Sequence, residues 1–119
     1  MNQVTAYLTR FRNRFFKLLP MREDRDAGVD NHLKEYLENF YTDISGLFMR
    51  HPELNSLPCL IEAYNNLAVL CNAENEMDFN KWRSIVLRST KLISVATNMY
   101  ADFINDAQSC DNADGSGIR

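Results

Sequence analysis

The sequence predicts an all-α protein, a single antiparallel four-helix bundle with a disordered C-terminal tail. Its 119 residues match the length of one domain. Apolar residues recur every three or four positions in four separate segments, and no segment keeps the two-residue alternation typical of a strand. Four Gly and three Pro are too few for a turn-rich β-sandwich. The bundle is expected to cover residues 1–109, with helices at 3–19, 30–50, 57–73 and 78–108, and the flexible tail to cover 110–119.

The first predicted helix is amphipathic and is expected to end at a proline. Its apolar side chains share one face, at Val4, Leu8, Phe11, Phe15 and Leu18. Pro20 is expected to end the helix, because the residue before a proline is disfavoured in the helical conformation. The segment 21–30 is acidic, contains Gly28 and is predicted to be a loop.

The second and third helices are predicted from their capping residues and prolines. Asp30 or Asn31 can cap the start of the second helix, and Pro52 follows its expected end. Ser56 is the expected cap of the third helix, with Pro58 in the first turn, where its missing N–H costs little. The third helix is apolar over most of its circumference and is therefore expected to be the most buried.

The fourth helix is predicted to be the longest element. Asp78 is a suitable N-cap. An apolar stripe runs from Trp82 through Ala96 and reaches the adjacent residues Met99 and Tyr100. Beyond this helix the chain is polar, contains Gly and lacks periodicity, which is typical of a disordered tail.

Positive charge is concentrated in the first helix. Residues 1–22 hold five Lys or Arg and no Asp or Glu, whereas the rest of the chain holds 8 Lys or Arg against 16 Asp or Glu. In one interpretation the helix docks on the acidic body and the charges compensate within the fold. In the other, the basic face contacts an external acidic partner through Arg10, Arg12, Arg14 and Lys17: an anionic membrane, a nucleic acid or another protein. Whether the helix docks in the bundle, swings free or is a cleaved targeting segment stays open.

A second basic stripe is predicted on the fourth helix, near its start, where positive charge opposes the helix dipole. Asp102 and Asp106 oppose the dipole at the other end. A helix optimised only for its own stability would not carry this order, so we expect the stripe to contact an acidic partner or the acidic loop 23–30. The predicted partner-binding residues are Lys81, Arg88, Lys91, Tyr100 and Phe103.

Apolar side chains exceed what a small four-helix core needs. The surplus comprises Tyr36, Tyr41 and Phe48 on the second helix and Leu87, Val95 and Tyr100 on the fourth. A slightly larger core would absorb them. Otherwise they form residual apolar surface, which on a small domain usually marks a protein interface.

Motifs for catalysis and metal binding are missing from the sequence. The two histidines are His32 and His51, and no HExxH, CxxC or glycine-rich phosphate loop occurs. A calcium loop starting at Asp24 fails because Val29 stands where the turn requires Gly. We therefore expect no enzyme activity, no metal and no other cofactor.

The cysteines indicate the redox compartment of the protein rather than a disulfide framework. Cys59, Cys71 and Cys110 fit no disulfide framework, and the first two would lie about 18 Å apart on one helix. Free thiols are typical of a reducing compartment, so a cytoplasmic location is expected.

The predicted function is that of a non-enzymatic protein-interaction module acting through its helix faces. An adaptor, a chaperone-like or immunity-type binder and an assembly subunit all fit, and the partner is either another protein or a second copy. The alternative is a nucleic-acid-associated subunit or a membrane-surface protein that uses the basic first helix.

Overall fold

A computed structural model gives the protein four α-helices: α1 (Gln3–Asp26), α2 (Leu33–Arg50), α3 (Pro58–Asn72) and α4 (Phe79–Ser116). The structure describes the backbone of residues 3–73 and 76–116, with side chains up to residue 104. Within these ranges it contains no strand, and a 3₁₀ helix at Pro52–Ser56 connects α2 to α3. The all-α, four-helix prediction is confirmed, and the antiparallel arrangement stays a prediction.

The core is formed by the helix faces that the apolar periodicity selects. α4 packs most extensively on α1 and then on α3, while α2 contacts both α1 and α3. Phe15, Phe40, Leu67 and Trp82 represent the four helices among the fully buried side chains. The rings of Phe15 and Phe40 meet edge to face, with centroids 4.8 Å apart. Each helix therefore buries one face and leaves another for contacts outside the bundle.

α1 continues through Pro20 as far as Asp26. The predicted helix end at residue 19 is therefore wrong. The first part of the predicted loop at 21–30 is also helical, as far as Asp26. Pro20 removes one helical hydrogen bond, to the carbonyl of Phe16, but it lies on an exposed side of the helix. Water can hydrate a carbonyl on that side, which lowers the cost of keeping the helix continuous.

Contacts of Arg22 hold the segment that follows the proline. The side chain is buried, its guanidinium carbon lies 5.0 Å from the Trp82 ring centre, and it donates a hydrogen bond to the carbonyl of Met77. A second link runs from the Trp82 indole N–H to the carbonyl of Leu18, at 3.4 Å. These long-range contacts stabilise the helix beyond Pro20, which no local rule predicts.

α2 begins at Leu33, later than the predicted start at residue 30. The Asn31 side-chain oxygen accepts a hydrogen bond from the backbone N–H of Leu33 at 3.1 Å, and that of Asp30 accepts one from His32 at 3.3 Å. His32 adopts the left-handed conformation with φ 54°. Both expected capping residues therefore satisfy backbone N–H groups, but they do so from positions ahead of the helix.

The connection to α3 is more ordered than the loop expected at residues 51–56. It folds into the 3₁₀ helix, which buries Leu54 in the core. Leu57, rather than Ser56, precedes the first residue of α3, and Pro58 opens the helix as predicted. α3 buries a single stripe, as α1 and α2 do, and Val69 is exposed, so its expected status as the most buried helix is not met.

α4 begins as predicted and extends far along the molecule. The Asp78 carboxylate accepts a hydrogen bond from the backbone N–H of Lys81 at 2.9 Å, which confirms the N-cap. The helix spans 38 residues, and the molecule measures 65 × 23 × 20 Å. Its backbone stays helical to Ser116, within the predicted tail at 110–119, while residues 117–119 lie outside the described part of the chain.

Candidate interaction surfaces

The predicted basic stripe lies on the outer side of α4. Lys81, Arg88 and Lys91 are all exposed. The Arg88 Nε atom donates to the Glu62 carboxylate on α3 at 2.6 Å, and this hydrogen bond raises the pKa of the guanidinium. Neither Lys81 nor Lys91 forms a side-chain ion pair with any described residue. Two of the three cations are thus available to an external group.

Tyr100 does not belong to this exposed stripe, which corrects the sequence-based assignment. Its side chain is 5 % exposed and faces the core, and its hydroxyl donates to the Glu53 carboxylate of the 3₁₀ helix at 3.2 Å. Burial, and after it the neighbouring Glu53 carboxylate, raises the pKa of Tyr100 above its ordinary value. The predicted Phe103 is exposed, so of the two aromatic residues only Phe103 is accessible.

Phe103 is the last member of an apolar ridge on α4. Val95, Met99 and Phe103 follow one another at four-residue intervals and are 39 %, 45 % and 57 % exposed. The sequence marks Val95 as surplus but places Met99 in the core stripe, since Met99 and Tyr100 are adjacent and both apolar. Tyr100 lies four and seven residues after the fully buried Ala96 and Ile93 and so continues the core face of α4, which leaves Met99 outward. The Glu53 acceptor for its hydroxyl comes from another part of the chain.

The basic residues of α1 do not form one continuous exposed surface that could contact an anionic membrane or a nucleic acid. Arg10 and Lys17 are exposed, whereas Arg12 and Arg14 are partly buried. The Arg14 guanidinium donates to the Asp43 carboxylate at 2.7 Å and lies 4.6 Å from the Phe40 ring centre. In the first interpretation of the charge asymmetry, the cations of α1 are compensated within the fold. Arg14 fits this interpretation, because Asp43 of α2 compensates its charge.

The apolar face of α1 is occupied by the core. Phe11 and Phe15 are buried against Phe40 of α2, and Leu8 and Leu18 are completely buried. The helix is docked, so the open choice between a docked and a swinging α1 is decided for this structure. Only Phe16 among the phenylalanines of α1 is exposed.

A polar cluster that the sequence does not indicate lies between α2 and α3. The rings of Tyr41 and Tyr64 stack with centroids 4.8 Å apart. Ser45 donates to the carbonyl of Tyr41 at 2.9 Å, so its contact with the Tyr64 hydroxyl at 2.6 Å has Tyr64 as the donor. The hydrogen bond with Tyr64, and then burial, raises the pKa of Tyr41. This cluster joins the two helices and includes Tyr41, one of the surplus aromatic residues.

Metal-binding geometry is not found in the described part of the chain, where no three His, Cys, Asp or Glu side chains gather into a possible ion site. Within the same part, no helix combines the length and apolar character needed to cross a bilayer. Comparisons with protein-family models, with curated proteins and with solved structures find no match to this chain.

Proposed function

We propose that the protein is a non-enzymatic assembly subunit that binds a second copy of itself through the outer face of α4. The observation that carries this proposal is the exposed apolar ridge of Val95, Met99 and Phe103. Exposed apolar patches on small domains are typical of protein interfaces, where Met and aromatic residues are enriched.

The order of charges along α4 favours a second copy as the partner. Exposed Lys91 precedes the ridge, and exposed Asp102 lies at its far end. If two α4 helices cross in opposite directions with a two-fold axis near residue 97, Lys91 of each copy lies opposite Asp102 of the other. The same axis places Val95 of each copy opposite Met99 of the other. Such self-complementarity is what an isologous dimer requires.

Neither charged group is engaged elsewhere in the described part of the molecule. Lys91 and Asp102 take part in no ion pair there. Desolvated apolar contacts would supply most of the affinity, and the two charge pairs would fix the direction of the helices. One helix on each side forms an interface at the lower end of the usual size range, so we expect a dimer whose population depends on concentration.

Use of α1 on a membrane or a nucleic acid is less favourable. Phe11 and Phe15 would have to leave the core before they could enter a lipid surface. Only Arg10 and Lys17 of its predicted contact residues are exposed, so α1 presents no continuous row of cations to a phosphate backbone. The outer face of α4 is accessible without any rearrangement.

The first test is light scattering behind size exclusion over a range of concentrations, at about 100 mM and about 500 mM NaCl, which brackets strong and weak charge screening. We expect a dimer at both salts, with weaker association at high salt. Met99→Glu should give a monomer, whereas Met49→Glu, at a more exposed methionine on α2, should not. A wild-type monomer at all concentrations would overturn the proposal.

A charge-swap experiment tests the direction of the two helices. Lys91→Asp alone and Asp102→Lys alone each place like charges opposite one another and should weaken the dimer. The variant that carries both substitutions restores opposite charges and should recover the wild-type association. Two additive losses without recovery would contradict the antiparallel register and leave only the apolar ridge as the interface.

A further inference from the structure

A cleft of about 470 Å³ lies between α1 and α2, on residues that the proposed dimer does not use. α1 contributes Tyr7, Arg10 and Arg14, and α2 contributes Asp43, Gly46 and Arg50. The volume falls within the range that small-molecule sites occupy in proteins. α1 supplies Arg10 and Arg14 from early in the chain, and α2 supplies Arg50 from its last turn. The cleft therefore exists only in the folded bundle.

The charge in this cleft is only partly compensated. Three guanidinium groups line it, and arginine side chains stay charged at every accessible pH. Asp43 is the one carboxylate among the described lining residues, and it is paired with Arg14 at 2.7 Å. Arg10 and Arg50 form no ion pair with a described residue. The cleft therefore carries a net charge of about two positive units.

Aromatic rings hold the three guanidinium groups in place. The Arg10 and Arg50 carbons lie 5.4 Å and 5.9 Å from the same Tyr7 ring centre. Arg14 lies 4.6 Å from the ring centre of Phe40 and is fixed further by its bond to Asp43. Cation–π attraction favours these positions of the guanidinium groups. Side chains that are already placed lose less entropy when a ligand binds.

Gly46 gives Arg50 room to turn back over α2 into the cleft. A Cβ atom at this position would come within 3.2 Å of the Arg50 Nη1 atom. An alanine would therefore require the guanidinium to move by a few tenths of an ångström, and a longer side chain would push it further from the helix surface. The glycine and the arginine together bring the end of α2 to the cations of α1.

We propose that this cleft binds a small phosphate monoester, with the phosphate group between Arg10, Arg14 and Arg50. A phosphate monoester carries between about 1.5 and 2 negative charges at neutral pH, which matches the uncompensated charge of the cleft. Its oxygens accept paired hydrogen bonds from guanidinium groups. The Tyr7 ring offers an apolar surface for the organic part of the ester.

Calorimetric titration of the full chain tests this proposal, with phenyl phosphate and inorganic phosphate as the probes at constant ionic strength. We expect saturable binding of both, and tighter binding of phenyl phosphate because its ring contacts Tyr7. Equal affinity for both probes would overturn the monoester as the ligand and leave a site for inorganic phosphate. No saturable binding of either probe would overturn the proposal.

Matched variants distinguish a specific binding site from unspecific attraction to positive charge. Arg10→Gln and Arg50→Gln should each weaken phenyl phosphate binding about tenfold, because each removes a charged donor. Arg83→Gln removes the same charge from an exposed position on α4 and should leave binding unchanged. Equal losses in all three variants would show unspecific attraction and contradict the site.

Two further substitutions test the neighbours of the arginines. Asp43→Asn removes the competing carboxylate and should strengthen phenyl phosphate binding severalfold. Gly46→Leu changes no charge, but its larger side chain should displace Arg50 and weaken binding, which unspecific attraction to positive charge does not predict. The affinities should be the same in the Met99→Glu background, so a failure of the cleft and a failure of the dimer would be told apart.

Discussion

α1 and α4 both carry basic side chains beside apolar ones, but the folded protein uses the two sets differently. On α1, Arg14 and Arg22 lie against aromatic rings and donate to oxygen atoms of other elements. On α4, Lys81 and Lys91 are exposed and make no ion pair with a described residue. α1 is thus built into the bundle by two of its arginines as well as by its apolar face, whereas these two lysines of α4 stay on the outside.

The type of cation explains much of this difference. The planar guanidinium group of arginine stacks on aromatic rings and donates several hydrogen bonds in one plane, so it can be partly buried. The ammonium group of lysine is strongly hydrated and stays in water. A count of positive charges treats the two helices alike, but their residue types differ: α1 relies on arginine, and two of the three stripe residues on α4 are lysine.

The largest expected effect separates the docked face of α1 from its exposed side. Phe15 is completely buried and Phe16 is 46 % exposed. Phe15→Ala should lower the free energy of unfolding by about 3–5 kcal/mol, because it removes a core ring and leaves a cavity. Phe16→Ala should cost less than about 1 kcal/mol. Equal midpoints of the two variants in urea would mean that α1 is not docked in solution.

A smaller effect tests whether the cations of α1 stabilise the fold. Arg22→Ala removes the hydrogen bond to the Met77 carbonyl and the contact with Trp82. We expect a loss of about 1.5–3 kcal/mol in the free energy of unfolding, the usual range for a hydrogen bond to a charged group. Lys17→Ala, at an exposed lysine of the same helix, is the control and should change the midpoint in urea little. Equal midpoints for Arg22→Ala and Lys17→Ala would mean that Arg22 does not stabilise the fold. α1 and α4 would then not differ in how they use their cations.

The sequence predicted the local features of both helices and missed the long-range ones. The core position of Phe15 and the N-cap at Asp78 follow from spacing and residue type, and both are found. The continuation of α1 beyond Pro20 depends on Trp82, which is far away in the chain. A proline marks the loss of one hydrogen bond, but it does not show what the following turn will contact.

The candidate sites show the same limit. On α4, Met99 and Tyr100 are adjacent apolar residues, and the acceptor for the buried Tyr100 hydroxyl, the Glu53 carboxylate, comes from a distant part of the chain. The arginine cleft joins Arg10 near one end of the chain to Arg50 at the end of α2. Charge patterning along a single helix indicated Arg10 and Arg14, but it could not bring in Arg50.

Tyr100 gives an intermediate effect that separates the inner from the outer face of α4. Tyr100→Phe removes its hydrogen bond to Glu53 and should cost about 1 kcal/mol near pH 7. Because the pKa of Tyr100 is raised above 10.0, the folded state retains the phenolic proton more tightly than the unfolded state. Its contribution is complete below pH 10.0 and is lost as the pH rises through the raised value.

Urea denaturation at several pH values measures this contribution. The wild-type midpoint should fall more steeply than that of Tyr100→Phe above pH 10.0, and the remaining slope should reflect Tyr41, whose pKa is also raised. Met99→Phe, a substitution at the neighbouring outward-facing position, should keep the wild-type slope. Identical slopes for wild type and Tyr100→Phe would mean that the tyrosine is not held against Glu53 in solution.

The smallest effect is expected for the ion pair that ties the outer face of α4 to α3. The side chains of Arg88 and Glu62 remain 63 % and 42 % exposed, and water screens their attraction. Arg88→Gln should therefore leave the midpoint of urea denaturation unchanged, at low as well as high salt. The same substitution should weaken the dimer only modestly, because Arg88 already has a partner within its own chain. A midpoint lowered as far as in Tyr100→Phe would show that the Arg88–Glu62 pair stabilises the fold. The basic stripe of α4 would then contribute to stability as the arginines of α1 do.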